Sequence, residues 1–287
     1  MTVFETPRPI GANVEIPMGS VHLIAGDRKD TTVVINPTDP AKEFDVEAAA
    51  KAEVELTGGD RLLVKAPHPR GVVGAVLGRY GSVDVTIELP EGSTIDVSTG
   101  FGDIWIDGRV AEAKLKSGAG QVHADETTNA DLTSGFGNLS LNMARGEARL
   151  TTTGDIRIGH IEGNSVLKSA NGKIWLEEAG GHLRVKSANG DIEISRARSS
   201  VVAKTANGRI EIGEVEAGSI SMQTAAGGLR VGVGEGTAAW VDARTKFGRV
   251  HNTLQTTDRP GAKDRSVEIS AWTGFGDITV HRAQVED

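Results

Sequence analysis

Apolar residues alternate with polar ones at period two through most of this chain, beginning with Val14, Ile16, Val21, Leu23, Val33 and Ile35. That alternation is the mark of strands with one buried face. From Ser82 onward a longer period overlies it. Aligning on the glycine that precedes each apolar pair gives Gly102, Gly120, Gly137, Gly154, Gly172, Gly190, Gly208, Gly227, Gly248 and Gly276, with steps of 18, 17, 17, 18, 18, 18, 19, 21 and 28 residues. Two places on stands Ile104, Val122, Leu139, Ile156, Ile174, Ile192, Ile210, Leu229, Val250 or Ile278; the fourth place is apolar too, with Asn252 the exception. Three places before each glycine there is a hydroxyl, from Thr99 and Ser117 to Thr273. A fixed period of this size is the signature of stacked repeats in which only the stack buries a core.

The expected fold is all-β: a single-domain right-handed parallel β-helix of about ten coils, each 17–21 residues long, behind an irregular β-rich entry segment. A coil of 18 residues spans at most ~60 Å when extended, which suits a narrow two- or three-sided tube. The sixfold sub-repeat of left-handed hexapeptide helices is missing, hence the right-handed expectation. Each strand should pair with its equivalents in the coils before and after it. Corner glycines should supply either a positive φ or a close backbone approach. Asn171, Asn189 and Asn207, each preceding Gly172, Gly190 and Gly208 in a Ser/Thr-Ala-Asn-Gly string, should stack their amides into a hydrogen-bonded ladder. The hydroxyls should form a second ladder.

Residues 1–90 read as the entry and cap segment, with helix formers near 41–52 and a hairpin across Thr57-Gly-Gly-Asp60; 91–282 reads as the β-helix and 283–287 as a tail. The 66–82 stretch is glycine-rich and apolar, and its Val72, Val73, Val76 and Leu77 are candidates for partner or membrane-surface contact. It lacks the GK[ST] ending of a phosphate-binding loop. A charged insertion, 256–264, precedes the last strand pair.

Composition narrows the classes. Net charge is −8 with a pI near 5.5, which argues against a nucleic-acid partner. There is no cysteine, hence neither disulfide nor thiolate chemistry. No window approaches the ~18 apolar residues of a membrane helix, and Met1 to Ile10 does not read as a secretory signal. These point to a cytoplasmic protein without a transmembrane segment, its oligomeric state unassigned.

The Ser-Ala-Asn-Gly coils, together with Gly81-Ser-Val-Asp-Val-Thr-Ile-Glu-Leu-Pro90 leading into Val97-Ser-Thr-Gly-Phe-Gly-Asp-Ile-Trp-Ile106, resemble the bacterial β-strand-repeat "putative adhesin" family of the toastrack group, a domain of unknown function. The resemblance covers roughly residues 10–282. It implies a parallel β-helix, no known catalytic residues and an association with envelope-stress systems.

Candidate chemistry is sparse. Asp103, Asp155, Asp191 and Asp277 follow corner glycines, but the nine-residue repeat of calcium-binding β-rolls is absent, so turn carboxylates accepting backbone N–H groups are the plainer reading. Lys168, Lys186 and Lys204 occupy one position in consecutive coils, where an anionic partner, or Glu193 and Glu211 nearby, would relieve their repulsion. Phe101, Phe136, Phe247 and Phe275 replace Asn before the glycine, and Trp105 and Trp175 are expected to point outward. His22, His123 and His251 lie in non-adjacent coils and make no zinc cluster. No catalytic, metal or cofactor site is assigned. The reading is a non-enzymatic scaffold or protein-interaction solenoid linked to envelope stress; its rivals are a carbohydrate-binding or carbohydrate-active β-helix and a self-polymerising cytoskeletal solenoid.

Overall fold

The computed structural model describes residues 1–67, 81–255 and 265–283. The apolar candidates Val72, Val73, Val76 and Leu77 and the 256–264 insertion lie outside the described residues. The described chain is an all-β parallel solenoid and forms two compact units, Met1–Asn142 and Met143–Asp287.

The first unit contains β1 (Thr2–Glu5), β2 (Gly11–Met18), β3 (Val21–Gly26), β4 (Asp30–Pro37), α1 (Glu43–Ala50), β5 (Glu53–Thr57), β6 (Arg61–Lys65) and β7 (Val83–Pro90). It continues through β8 (Thr94–Phe101), β9 (Ile104–Ala119) and β10 (Val122–Phe136), and β11 (Leu139–Ala144) runs across the boundary. The second unit holds β12 (Ala148–Thr152), β13 (Ile156–Ile161), β14 (Ser165–Ser169), β15 (Ile174–Ala179), β16 (Leu183–Ser187), β17 (Ile192–Ala197) and β18 (Val201–Asn207). After these come β19 (Ile210–Val215), β20 (Gly218–Ala226), β21 (Leu229–Val233), β22 (Thr237–Phe247), β23 (Val250–Asn252), β24 (Arg265–Phe275) and β25 (Ile278–Arg282).

In the second unit every coil supplies one strand to each of two parallel sheets. Through the regular middle the register is fixed by identity of position: Leu167 faces Val185, Ile174 faces Ile192, and Ile192 faces Ile210. A one-residue slip would turn every inward side chain to solvent, so the period-two pattern specifies the register. The inward column Ile156, Ile174, Ile192, Ile210, Leu229 and Ile278 is buried to 2% exposure or less. Each such side chain contributes about 1.5–3 kcal/mol relative to exposure.

Coil order differs from sequence order at two places. β24 pairs with β20 on one side and with β22 on the other, and β25 likewise lies between β21 and β23. The coil latest in sequence is therefore second to last in its stack, and β22 with β23 forms the last rung. The first unit has the mirror arrangement: β2 lies between β6 and β8, and β3 between β7 and β9. The coil earliest in sequence is thus second in its stack, beneath the rung made by β6 and β7. This explains the break in the apolar pattern, because Asn252 and the 44%-exposed Val250 lie on the last rung, where no further coil covers them among the described residues.

Beyond β6 and β7 the first unit is closed by antiparallel strands, β5 on β6, β4 on β7 and β1 on β4. α1 packs on β4 and β7. Its buried Asp45 accepts N–H bonds from Ser82 at 2.8 Å and Asp39 at 3.2 Å, joining helix, β4 connection and β7 entry.

Candidate functional site

The corners are built by backbone contact. A Cβ on Gly172 would lie 2.2 Å from the carbonyl carbon and oxygen of Gly154, so close approach selects glycine there; Gly208 combines the same proximity to Gly190 with φ +148°. The hydroxyls do not bond one another as the sequence suggests. Instead most donate to the corner glycine carbonyl of the neighbouring coil, as Ser117 to Gly102 at 2.9 Å, Ser134 to Gly120 at 2.8 Å, Ser169 to Gly154 at 2.8 Å and Thr224 to Gly208 at 3.0 Å, whereas the Thr99 and Ser187 hydroxyls make no such bond. The hydroxyls point inward beside the corner, within reach of that carbonyl, so a stacked hydroxyl ladder does not form. The Asn column does stack, with Asn189 Nδ2 donating to Asn171 Oδ1 at 3.1 Å and Asn207 Nδ2 to Asn189 Oδ1 at 2.8 Å. Asp103, Asp155, Asp191 and Asp277 each accept the backbone N–H of the next coil's equivalent residue, at 2.7–2.8 Å.

Among the sequence candidates, the lysines are the ones the fold brings together. Lys168 stands opposite Lys186, and Lys186 opposite Lys204, on the outer face of β14, β16 and β18. Parallel neighbours are about 4.8 Å apart, and all three lysines are exposed. Two residues earlier on the same face run Arg149, Val166, Arg184 and Val202, paired in turn. Arg149 and Arg184 escaped the sequence analysis, although strand alternation and coil register place both on the lysines' face. Among the described residues none of these five cations has a carboxylate partner, and the outer positions of β14, β16 and β18 carry no acid.

Glu193 and Glu211 do not offset the lysines, because they lie on the other sheet. There Glu193 pairs with Lys173 at 2.5 Å, and Glu211 with Arg209 at 3.9 Å and Arg230 at 3.8 Å. Arg196 meets Glu214 at 3.0 Å on that sheet, and Arg198 meets Glu178 at 2.6 Å. In the first unit Lys114 binds Asp96 at 2.9 Å, and that hydrogen bond raises the lysine's pKa. These cations sit beside carboxylates; those of the β14–β16–β18 face do not.

The aromatic candidates do not form one row. Trp105 is 39% exposed and lies 5.1 Å from the His123 ring, one rung on, while His22 on the preceding rung binds Asp107 at 2.7 Å. Coil order places His22, Trp105 and His123 on three successive rungs, because β3 lies next to β9, so the two histidines are separated by one rung, that of Trp105. Trp175 is half-covered by the Arg157 guanidinium, 5.3 Å from its ring. Phe247 and Phe275 stack at 4.9 Å on an exposed corner. Among the described residues no three His, Asp or Glu side chains gather to hold a metal ion, and no helix is long and apolar enough to cross a membrane.

A two-sheet parallel solenoid whose coils are joined at glycine corners defines a β-repeat class of protein. The chain belongs to the Toastrack DUF4097 family, whose model matches residues 14–284. Curated proteins offer no match. Among solved structures it is similar to a putative adhesin from Parabacteroides merdae, at 11% identity and TM-score 0.49, covering 80% of this chain and 94% of that one. It is also similar to a putative adhesin from Bacteroides fragilis, at 13% identity and TM-score 0.38, covering 97% of this chain and 95% of that one.

Proposed function

We propose that the chain is a non-enzymatic protein-interaction scaffold whose basic sheet face receives an acidic segment of a partner protein. The observation that carries this reading is the column Lys168, Lys186 and Lys204, flanked by Arg149 and Arg184, with no carboxylate partner among the described residues of a chain whose net charge is −8. Like charges stacked in water repel by only ~1 kcal/mol. The face therefore tolerates them, and an acidic segment laid across the rungs would meet all three lysines within about 10 Å. Val166 and Val202 between the cations add an apolar floor that a simple solvated face does not need. The adhesin label of the structural neighbours is compatible with a binding role.

A fluorescent polyglutamate peptide is the direct probe. It should bind at low salt, weaken steeply as ionic strength rises, and lose at least about tenfold in affinity on the triple substitution Lys168→Glu, Lys186→Glu and Lys204→Glu. Far-UV circular dichroism should be unchanged, since the three side chains are exposed. Equal binding by the triple variant, or binding to anionic vesicles in preference to the peptide, would rule the reading out.

A further inference from the structure

The last rung of the second unit carries an edge of unusual composition. β22 is 11 residues long, Thr237-Ala-Ala-Trp-Val-Asp-Ala-Arg-Thr-Lys-Phe247, and its registered partner is β24 on one side. Among the described residues no strand pairs with its other side. Phe247 and Arg249 turn their carbonyls toward the coil of β24 and β25, accepting from Gly276 N–H and Ile278 N–H at 2.9 Å. In a parallel ladder alternate residues direct both backbone groups to the same side. Ala238, Trp240, Asp242, Arg244 and Lys246 therefore direct theirs to the open edge. A long edge of this kind is a template for another strand.

Charges on an edge usually deter a second strand, but the order of these charges does the opposite. Asp242 and Arg244 lie two apart on the outer face, where Arg244 Nε and Nη2 reach the Asp242 carboxylate at 2.9 and 3.1 Å. Antiparallel pairing of the strand with its own copy about Ala243 sets Asp242 opposite Arg244 twice. It also sets Trp240, 74% exposed, opposite Lys246 twice, an ammonium against an aromatic face. Val241 then meets Thr245 on the inner face. The backbone parity agrees, because this register pairs even residues with even ones, and the even residues are those with free N–H and C=O groups.

We propose that β22 is a self-complementary interface through which two copies of this chain join, antiparallel, about a two-fold axis at Ala243. That axis stands normal to the sheet, so the inner faces of both copies look the same way and the half-exposed Ala239, Val241 and Ala243 gain apolar neighbours. The contact is isologous and closes at two copies, unlike the head-to-tail stacking of a filament. It is independent of the basic-face reading and stands or falls separately.

Sedimentation velocity from micromolar to millimolar concentration should show the chain as a reversible dimer. Asp242→Arg, which sets Arg opposite Arg, should weaken it at least about tenfold, and the swap Asp242→Arg with Arg244→Asp should restore it to within about threefold. The chain has no cysteine, so register is readable by trapping. Directly opposed non-hydrogen-bonded residues lie about 4.5 Å apart at Cα, within disulfide range. Ala243→Cys should crosslink on oxidation, whereas Val241→Cys, facing Thr245, should not. A chain monomeric throughout the range, a dimer indifferent to Asp242→Arg, failure of the swap to restore it, growth beyond two copies, or equal trapping at 241 and 243 would each overturn the proposal.

Discussion

The carbonyl oxygen of a corner glycine serves two neighbours at once. That of Gly190 accepts the Thr205 hydroxyl at 3.3 Å and lies 2.3 Å from where a Cβ on Gly208 would stand. A side chain at 208 would therefore strain a φ of +148° and collide with backbone that has no room to move. Gly208→Ala should lose about 3 kcal/mol or more in urea unfolding, while Gly26→Ala, with open space around its Cβ, should change stability by less than about 0.5 kcal/mol. Comparable losses at both positions would contradict the corner account. A second residue-scale expectation concerns acid. Arg28 is forked between Asp30, at 3.0 and 3.1 Å, and Glu88, and this hydrogen bonding holds the Asp30 carboxyl below its ordinary range. Because the folded value is the lower one, the stabilisation is whole above about pH 4 and fades as pH falls through the folded value. Asp30 is exposed, so the effect is small, but NMR titration should show its midpoint rising in Arg28→Ala; an unmoved midpoint would disprove the assignment.

Strand positions and register were legible in the chain because inward sites must be apolar: Ile174, Ile192 and Ile210 reveal which way each strand faces. Which coil each one touches was not legible. A coil placed second to last presents the same alternation as one placed last, so β24 between β20 and β22 satisfies the pattern as well as sequential stacking would. The clue was small, namely Asn252 where nine other coils carry an apolar residue. The basic face was half legible, since the 18-residue period aligned its lysines, but whether carboxylates matched them depended on which sheet Glu193 and Glu211 joined. At this scale the interleaving makes a sharp prediction. Removing residues 265–283 takes away β24 and β25, the only registered neighbours of β22 and β23 among the described strands. Two rungs should be lost for one deleted, read as loss of hydrogen-exchange protection across residues 237–252. Retained protection there would show that β22 and β23 hold to the stack by other means.

At the scale of the whole chain, solenoid stability is a sum over neighbouring rungs, and most of those neighbours are one coil apart in sequence. The two interleaved coils are the exceptions. As the chain emerges from the ribosome, β2 and β3 appear before either of their neighbours, and the later of these, the Ile104–Asp107 stretch of β9, ends 81 residues after Gly26. At ~5–20 residues per second that is a delay of roughly 4–16 s. Through it, the coil carrying Val14, Ile16, Val21 and Leu23, later buried to 2% or less, lacks one or both of its neighbouring rungs. The nascent protein should thus engage holding factors during the first third of its synthesis, until residue 107 emerges to seal its earliest coil.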